Sequence, residues 1–330
     1  MRRVSHTAVV ARARTRRLAG AIDQGVDRET VGAAIERCAH TLERGRVYFG
    51  HGTDNARDEA AELVFFAAGL RHDTGASSSH DIAAAYSKKL SARRVALIAH
   101  LLERRIVERM PLAYLTRRAF FAALELYVDE RVLVPRSPIA ELVLQRFEPW
   151  VDARRVRRIL DIGTGSGAIA LACAMAFPKA RVDAVDVSAD ALQVARRNLR
   201  RMGLQKRVQL LQSDYFAAVK GRRYDIIVSN PPYVGRAEMR GLPREYRHEP
   251  RLGLASGTDG LDAVRAILAA ARRHLGRDGI LVVEVGNTEG VLLRAFPRLP
   301  FVWPEIAMGG GGVFLLRARD LDEHEGDADV

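Results

Sequence analysis

The residues best suited to chemistry are Asn230-Pro231-Pro232-Tyr233, which follow the apolar run Tyr224 to Ser229. That run reads as a buried strand. Two prolines stop it and stiffen the loop at the carboxyl edge of a sheet, where ligands bind in open α/β folds. The side-chain oxygen of Asn230 and the carbonyl of Pro231 can accept the two N–H groups of a planar amide or amine. Tyr233 can pack on the planar group. An amide nitrogen is a poor nucleophile because its lone pair is delocalised, so a catalyst must fix both N–H bonds and aim the nitrogen at an electrophile. No strong general base is needed, because the N-protonated product is very acidic. Positioning and exclusion of water supply the rate, with the reacting atoms held roughly 3 Å apart. A structural proline turn is the plain alternative.

A second constellation lies upstream, where Arg158 to Leu160 runs into Asp161-Ile162-Gly163-Thr164-Gly165-Ser166-Gly167. Glycines let the backbone approach a ligand closely and leave helix N–H groups facing it. Gly163, Gly165 and Ala168 also satisfy the looser dinucleotide pattern, so the loop alone leaves both cofactors open. Asp161 favours S-adenosylmethionine, since a carboxylate beside the loop repels a pyrophosphate and attracts an amino-acid ammonium. Asp186, at the end of the next strand, can accept both ribose hydroxyls; its other reading is a cap for the helix beginning near Ser188. Asp214 and Tyr215, at the end of a third strand, offer an acceptor for an adenine amino group and a face for its ring. A capping aspartate and a core aromatic would look the same.

The elements that must position these residues differ along the chain. From about Thr30 to Met110 the apolar spacing is helical: Val31, Ala34 and Ile35, then Glu59 to Leu70, then Val95, Ile98, Leu101, Leu102 and Ile106. Pro111 is expected to end the last of these helices. Between two of them lies Tyr48 to Asn55, YFGHGTDN, with Thr53 or Asp54 as the expected helix cap. Phe120 to Val134 reads as a hairpin turning at Asp129-Glu130. From Arg155 strands alternate with helices, including Gly167 to Phe177 and Ala189 to Met202, which predicts parallel crossovers. Phe301 to Ala307 and Val313 to Arg317, joined by Gly309 to Gly312, read as a closing antiparallel hairpin. The expected divisions are a basic extension over 1–26, a helical domain over 27–118, a hairpin linker with a connecting helix over 119–150, a sheet domain over 151–318 and an acidic solvated tail over 319–330.

The chain of 330 residues is 48% hydrophobic with a formal charge of +12, enough to bury a full core and to favour an anionic partner. Six arginines before Asp23 carry half of that excess, so part of it belongs to the start, which has the character of a basic extension and, more faintly, of an organellar transit peptide. No apolar run approaches the roughly 18 residues of a membrane span, which predicts a cytoplasmic protein. Cys38 and Cys173 suggest buried small side chains, and His51, His248 and the other histidines show no metal spacing.

Taken together, these motifs resemble the HemK-like protein-glutamine N-methyltransferases, which have the class I S-adenosylmethionine methyltransferase fold. The match runs from about Thr30 to Arg317. It implies a helical amino-terminal domain, a β-hairpin linker and a Rossmann-like, mostly parallel sheet closed by an antiparallel hairpin. It also implies that Gly163 to Gly167 and Asp186 bind the cofactor, that Tyr215 lies by the adenine, and that Asn230 to Tyr233 hold the glutamine amide, with Asn230 also beside the cofactor. Three stretches, YFGHGTDN from Tyr48, YVDERVLVPRSPIAEL from Tyr127 and EYRHEPRLGLASGTDGLDA from Glu245, resemble the branch acting on the third protein of the large ribosomal subunit. The resemblance thus implies a ribosomal protein substrate, with ribosomal RNA in an assembling particle as a further partner. The release-factor branch is less similar, since Pro135-Arg136-Ser137-Pro138 lacks the acidic residue after Pro-Arg-Pro. A nucleic-acid adenine or cytosine N-methyltransferase would use the same acceptor loop but must also extrude a base. A non-catalytic RNA-binding assembly factor would not need that loop intact.

Overall fold

The computed structural model describes residues 29–70, 79–307 and 309–322. The basic extension expected over 1–26, and most of the acidic tail, lie outside them. The chain divides between Arg117 and Arg118 into two compact units.

The first unit contains α1 (Val31–Gly45), α2 (Ala56–Ala68), α3 (Ser79–Ser87), α4 (Ala92–Val107) and α5 (Leu112–Thr116). Val31, Ala34, Ile35, Cys38 and Leu42 line one face of α1 and meet Leu63, Val64, Ile98 and Leu101 in a shared core. Asn55, rather than Thr53 or Asp54, caps α2: its side chain accepts the Asp58 N–H at 2.9 Å. Pro111 begins α5 instead of ending α4, which stops at Val107; a proline suits a helix start because its missing N–H has no partner to lose there. The YFGHGTDN stretch is tied to α4 by Arg105, which is fully buried. Arg105 bonds Glu59 at 2.6 Å and the Tyr48 carbonyl at 2.6 Å.

The second unit opens with a hairpin of β1 (Ala119–Phe121) and β2 (Leu124–Leu126). Its turn is Ala122-Ala123, both with positive φ, and not the expected Asp129-Glu130. Paired positive-φ residues match the right-handed twist of a tight hairpin, but alanine gives no sequence signal for them. After α6 (Ile139–Leu144) come β3 (Arg158–Ile162), α7 (Ala168–Ala176), β4 (Arg181–Asp186), α8 (Ala189–Arg201), β5 (Val208–Gln212), β6 (Tyr224–Ser229), α9 (Glu238–Gly241), α10 (Asp262–His274), β7 (Leu275–Glu284), α11 (Glu289–Ala295) and β8 (Val313–Arg317). The six strands lie in the order β5-β4-β3-β6-β7-β8, all parallel except β8. The outer arm expected over Phe301 to Ala307 is reduced to one bridge, Val302 to Leu315. Instead β8 finds its ladder on β7, completing the antiparallel closure.

Side chains alternate across a strand, so each strand supplies two cores. Ile159, Val182, Ile226 and Ile280 belong to the core that α6 and α7 share with the sheet. Leu160, Ile227 and Leu281 face α10 through Val264, Ile267 and Leu268. The acidic tail begins later than expected: Leu321 is buried in a short 3-10 turn, Ala318–Leu321, where apolar burial outweighs the neighbouring acids. Cys38 and Cys173 are both buried and unpaired. Among the described residues, no helix is long and apolar enough to cross a membrane.

Candidate active site

The strand order reverses direction between β3 and β6, and the loops leaving their carboxyl ends diverge to form a crevice. A cleft of about 700 Å³ occupies it. Its wall includes Gly163 to Ser166, Asp186, Asp214 and Tyr215, Asn230 to Tyr233, and the linker segment from Glu130 to Ser137. Two loops distant in sequence are adjacent here: a Cβ built on Gly163 would lie 3.9 Å from the Asn230 carbonyl oxygen.

Gly163 and Gly165 both have positive φ, 71° and 54°, and a Cβ on Gly165 would meet nothing closer than 4.0 Å. The glycines are therefore required by conformation, and the space above them is open to a ligand. Gly167 differs, because a Cβ there would touch Ala195 at 3.4 Å, so this glycine also brings α7 and α8 together. Asn198, fully buried on α8, holds the loop from below. Its Nδ2 donates to the carbonyls of Ser166 and Tyr127, each at 2.9 Å, and its Oδ1 accepts the Tyr127 N–H at 2.8 Å. One amide side chain thus joins the glycine loop to the linker.

Asp161 is not on the cleft wall. Its carboxylate is fully buried beneath the loop, where Oδ2 accepts from the Thr164 hydroxyl at 2.6 Å and the Ala170 N–H at 3.1 Å. Oδ1 has no hydrogen-bond partner among the described residues. Burial pushes the Asp161 carboxyl up to about 7, against the opposing hydrogen bonds from Thr164 and Ala170, and the charge of Asp186 adds to the rise. A half-satisfied carboxylate in such a place is suited to a cationic group arriving at the loop. Asp186 does face the cleft, and backbone N–H groups of Gly165 and Ser188 hold its two oxygens at 2.8 and 2.9 Å. Burial raises its pKa while those N–H groups oppose the rise. Each oxygen keeps a lone pair for a hydroxyl. Ser188, not Asp186, caps α8, its hydroxyl accepting the Ala191 N–H. Tyr215 is half-buried with φ 43°, while Asp214 is exposed beside it. These features fit S-adenosylmethionine: a buried acid with one oxygen unsatisfied under a glycine loop, a carboxylate facing the cleft, and an aromatic face beyond it.

Pro231 is buried, and Asn230 is half-buried with no side-chain hydrogen bond among the described residues. Tyr233 sits in a slot made by residues that sequence reasoning missed. Its hydroxyl donates to Glu284 Oε1 at 3.0 Å, and a Cβ on Gly286 would lie 2.5 Å from its ring. A Cβ on Gly260 would collide with its carbonyl oxygen. Burial pushes the Glu284 carboxyl up, opposed by the Ser137 and Tyr233 hydroxyls and the charge of Arg136. Burial and the neighbouring Glu284 carboxylate raise the Tyr233 phenol well above its ordinary range. The loop is fastened further by Val234, which exchanges backbone hydrogen bonds with Leu254 and Ser256 at 2.8 and 3.0 Å. Arg136, on the cleft wall, pairs both Nη atoms with the buried Glu249 at 2.6 and 2.8 Å and lies over the Tyr246 ring. The Glu245 stretch is thereby fixed to the linker. Gly260 and Gly286 could be noticed as isolated glycines, but nothing in the linear order pairs Glu284 with Tyr233.

Residues 140–241 match the model of the methyltransferase small domain. The ribosomal protein uL3 glutamine methyltransferase of Bordetella pertussis is 45% identical over 89% of this chain and 97% of its own length. The protein of the same name from Xanthomonas campestris pv. campestris is 47% identical over 84% of this chain and 87% of its own. Among solved structures, a methyltransferase from Pyrococcus furiosus aligns with a TM-score of 0.40 and 21% identity, covering 59% of this chain and 89% of that one.

Proposed function

The chain belongs to the family of ribosomal protein uL3 glutamine methyltransferases, and from that premise we propose that it methylates the side-chain amide nitrogen of a glutamine in uL3. The observation that carries this reading is the meeting of the glycine loop and the Asn230 loop in one cleft, at the ends of β3 and β6. When bound, S-adenosylmethionine supplies an electrophilic methyl group. Gly163 to Gly167, Asp161, Asp186, Asp214 and Tyr215 are the residues that would hold it. The free Asn230 oxygen and the Pro231 carbonyl would accept the two amide N–H groups, turning the nitrogen toward the donor. Tyr233, held from behind by Glu284, packs on the amide plane. The apolar wall of Val132, Leu133, Ile162 and Leu254 excludes water, which strengthens each polar contact inside. No residue is required as a strong base, since the methylated, N-protonated amide loses its proton readily.

The substrate segment would enter at the carboxyl edge of the sheet, and a cytoplasmic, RNA-containing assembling particle is the setting that suits the basic charge. The test is transfer of a labelled methyl group to purified uL3, to a release factor and to protein-free RNA. Incorporation into uL3 alone is expected. Incorporation only into the release factor or RNA would overturn the substrate assignment.

A further inference from the structure

We propose that the amino-terminal edge of the sheet, opposite the cleft, is a contact face for the phosphate backbone of structured RNA; this rests on the ribosomal substrate proposed above. Because β3 to β7 run parallel, their first residues share one edge. The ladder sets Arg158 beside Arg181. Since Val182 partners Val208, Arg181 in turn stands beside Arg207. Neighbouring strands lie about 4.8 Å apart, so the three arginine backbones stand in a row across three strands, with the Arg207 Nη1 held by the Ala174 and Phe177 carbonyls at the end of α7. Like charges opposite one another on a sheet are destabilising, and a shared anion relieves them.

The row continues on both sides. Arg157 and Lys206 stand one residue farther out, Lys220 and Arg223 precede β6, and Arg277 lies where the β6–β7 register is irregular. The acids at this edge offset only part of the charge, because Asp183, Asp225 and Asp278 stand against Arg157, Arg158, Arg181, Lys206, Lys220, Arg222, Arg223 and Arg277. Asp183 is buried and engaged by the Tyr224 hydroxyl at 2.7 Å, by Arg222 at 2.9 Å and by Arg158 at 3.6 Å. Oδ2 of Asp225 is occupied by the backbone N–H groups of Arg157 and Arg158 at 2.6 and 2.9 Å. Asp278 is exposed next to Arg277, and Asp152, before β3, is exposed and paired with Arg154. Arg181, Lys206 and Lys220 are exposed and make no side-chain hydrogen bond or ion pair among the described residues.

Five parallel strands give an edge of about 19 Å, enough to face several phosphates of one duplex strand, which follow at roughly 3 Å of helix axis each. Arginine predominates here, and its planar donors suit phosphate oxygens. The five residues of β3 separate this edge from the cleft by about 16 Å, roughly twice the screening length at physiological salt. RNA on the edge thus leaves the cleft open to a protein segment.

The test uses the full chain carrying Arg181→Gln, Lys206→Gln and Lys220→Gln. A control carries Arg44→Gln, Arg93→Gln and Arg294→Gln, which remove the same charge from exposed residues elsewhere. Anisotropy of a short labelled RNA duplex over a salt series reports affinity and slope, and methylation of isolated uL3 is measured in parallel. The edge variant is expected to bind RNA about tenfold more weakly and to flatten the log–log salt slope by about 2 to 3. The control stays within twofold, and both variants methylate isolated uL3 normally. Equal losses in edge and control variants would overturn the proposal. So would unchanged RNA affinity in the edge variant, or loss of binding to phosphatidylserine vesicles with RNA binding intact. A wild-type enzyme that binds RNA through this edge but never methylates uL3 would refute the substrate reading and support the edge.

Discussion

Replacing Asn230 separates acceptor positioning from folding. Its side chain is half-buried beyond the end of β6 and makes no hydrogen bond among the described residues, so Asn230→Ala breaks no native bond and opens no core cavity. Stability should therefore change by about 0.5 kcal/mol or less. The loss falls on the reaction: removing one positioned acceptor costs on the order of 3 kcal/mol, about a hundredfold in rate. Asn230→Asp keeps an acceptor oxygen but adds an anion near the donor. At roughly 5 Å and an effective dielectric constant near 20, its attraction for a cation is about 3 kcal/mol. That attraction favours the bound cationic donor and fades as the charge disperses, so aspartate should tighten cofactor binding and still slow transfer. Single-turnover methyl transfer to uL3, cofactor titration and thermal melting on both variants supply the assay. Near-normal turnover by Asn230→Ala would refute the acceptor site, and a large drop in melting temperature would refute the claim that the side chain is structurally idle.

Three further outcomes follow from the same geometry. Glu284→Ala should lower kcat about tenfold by freeing the Tyr233 hydroxyl, Glu284→Gln should restore most of it because its amide oxygen still accepts, and Glu284→Ala combined with Tyr233→Phe should be no worse than the poorer single variant; additive losses would show that the pair does not act together. For Asp161, the folded carboxyl is raised to about 7 from an ordinary value of 3.8, so the folded state binds the extra proton between them. Its stabilising contribution is complete below about pH 4 and is lost as pH rises through 7; melting of the cofactor-free enzyme should decline over that window, and Asp161→Asn should flatten the decline. An unchanged profile in that variant would remove Asp161 as the cause. Finally, S-adenosylmethionine at a hundredfold excess over its dissociation constant should stabilise the fold by about 2.7 kcal/mol while NAD does not, and a melting shift with NAD alone would contradict the fit of the cleft.

What the sequence alone determined was whatever is carried by neighbours along the chain. The alternation of apolar strands with amphipathic helices specifies a parallel α/β sheet, because each strand must bury both faces and each helix one. Gly163 to Gly167 and Asn230 to Tyr233 are legible for the same reason: positive-φ turns and proline-stiffened strand ends depend on local residue type. Local reasoning failed where tertiary contacts choose among equivalent local options. Ala122-Ala123 has no turn chemistry of its own, so only the pairing of β1 with β2 reveals the hairpin turn. Phe301 to Ala307 has the pattern of a strand, yet β8 spends its ladder on β7. Asp161 could be placed near the glycine loop from sequence, but its burial beneath the loop depends on how α7 packs against β3. The same holds for Glu284 behind Tyr233, Asn198 beneath the glycine loop and Arg136 on Glu249, pairs 32 to 113 residues apart. Side chains that far apart meet only once strand order and register are fixed, and those are properties of the sheet as a whole.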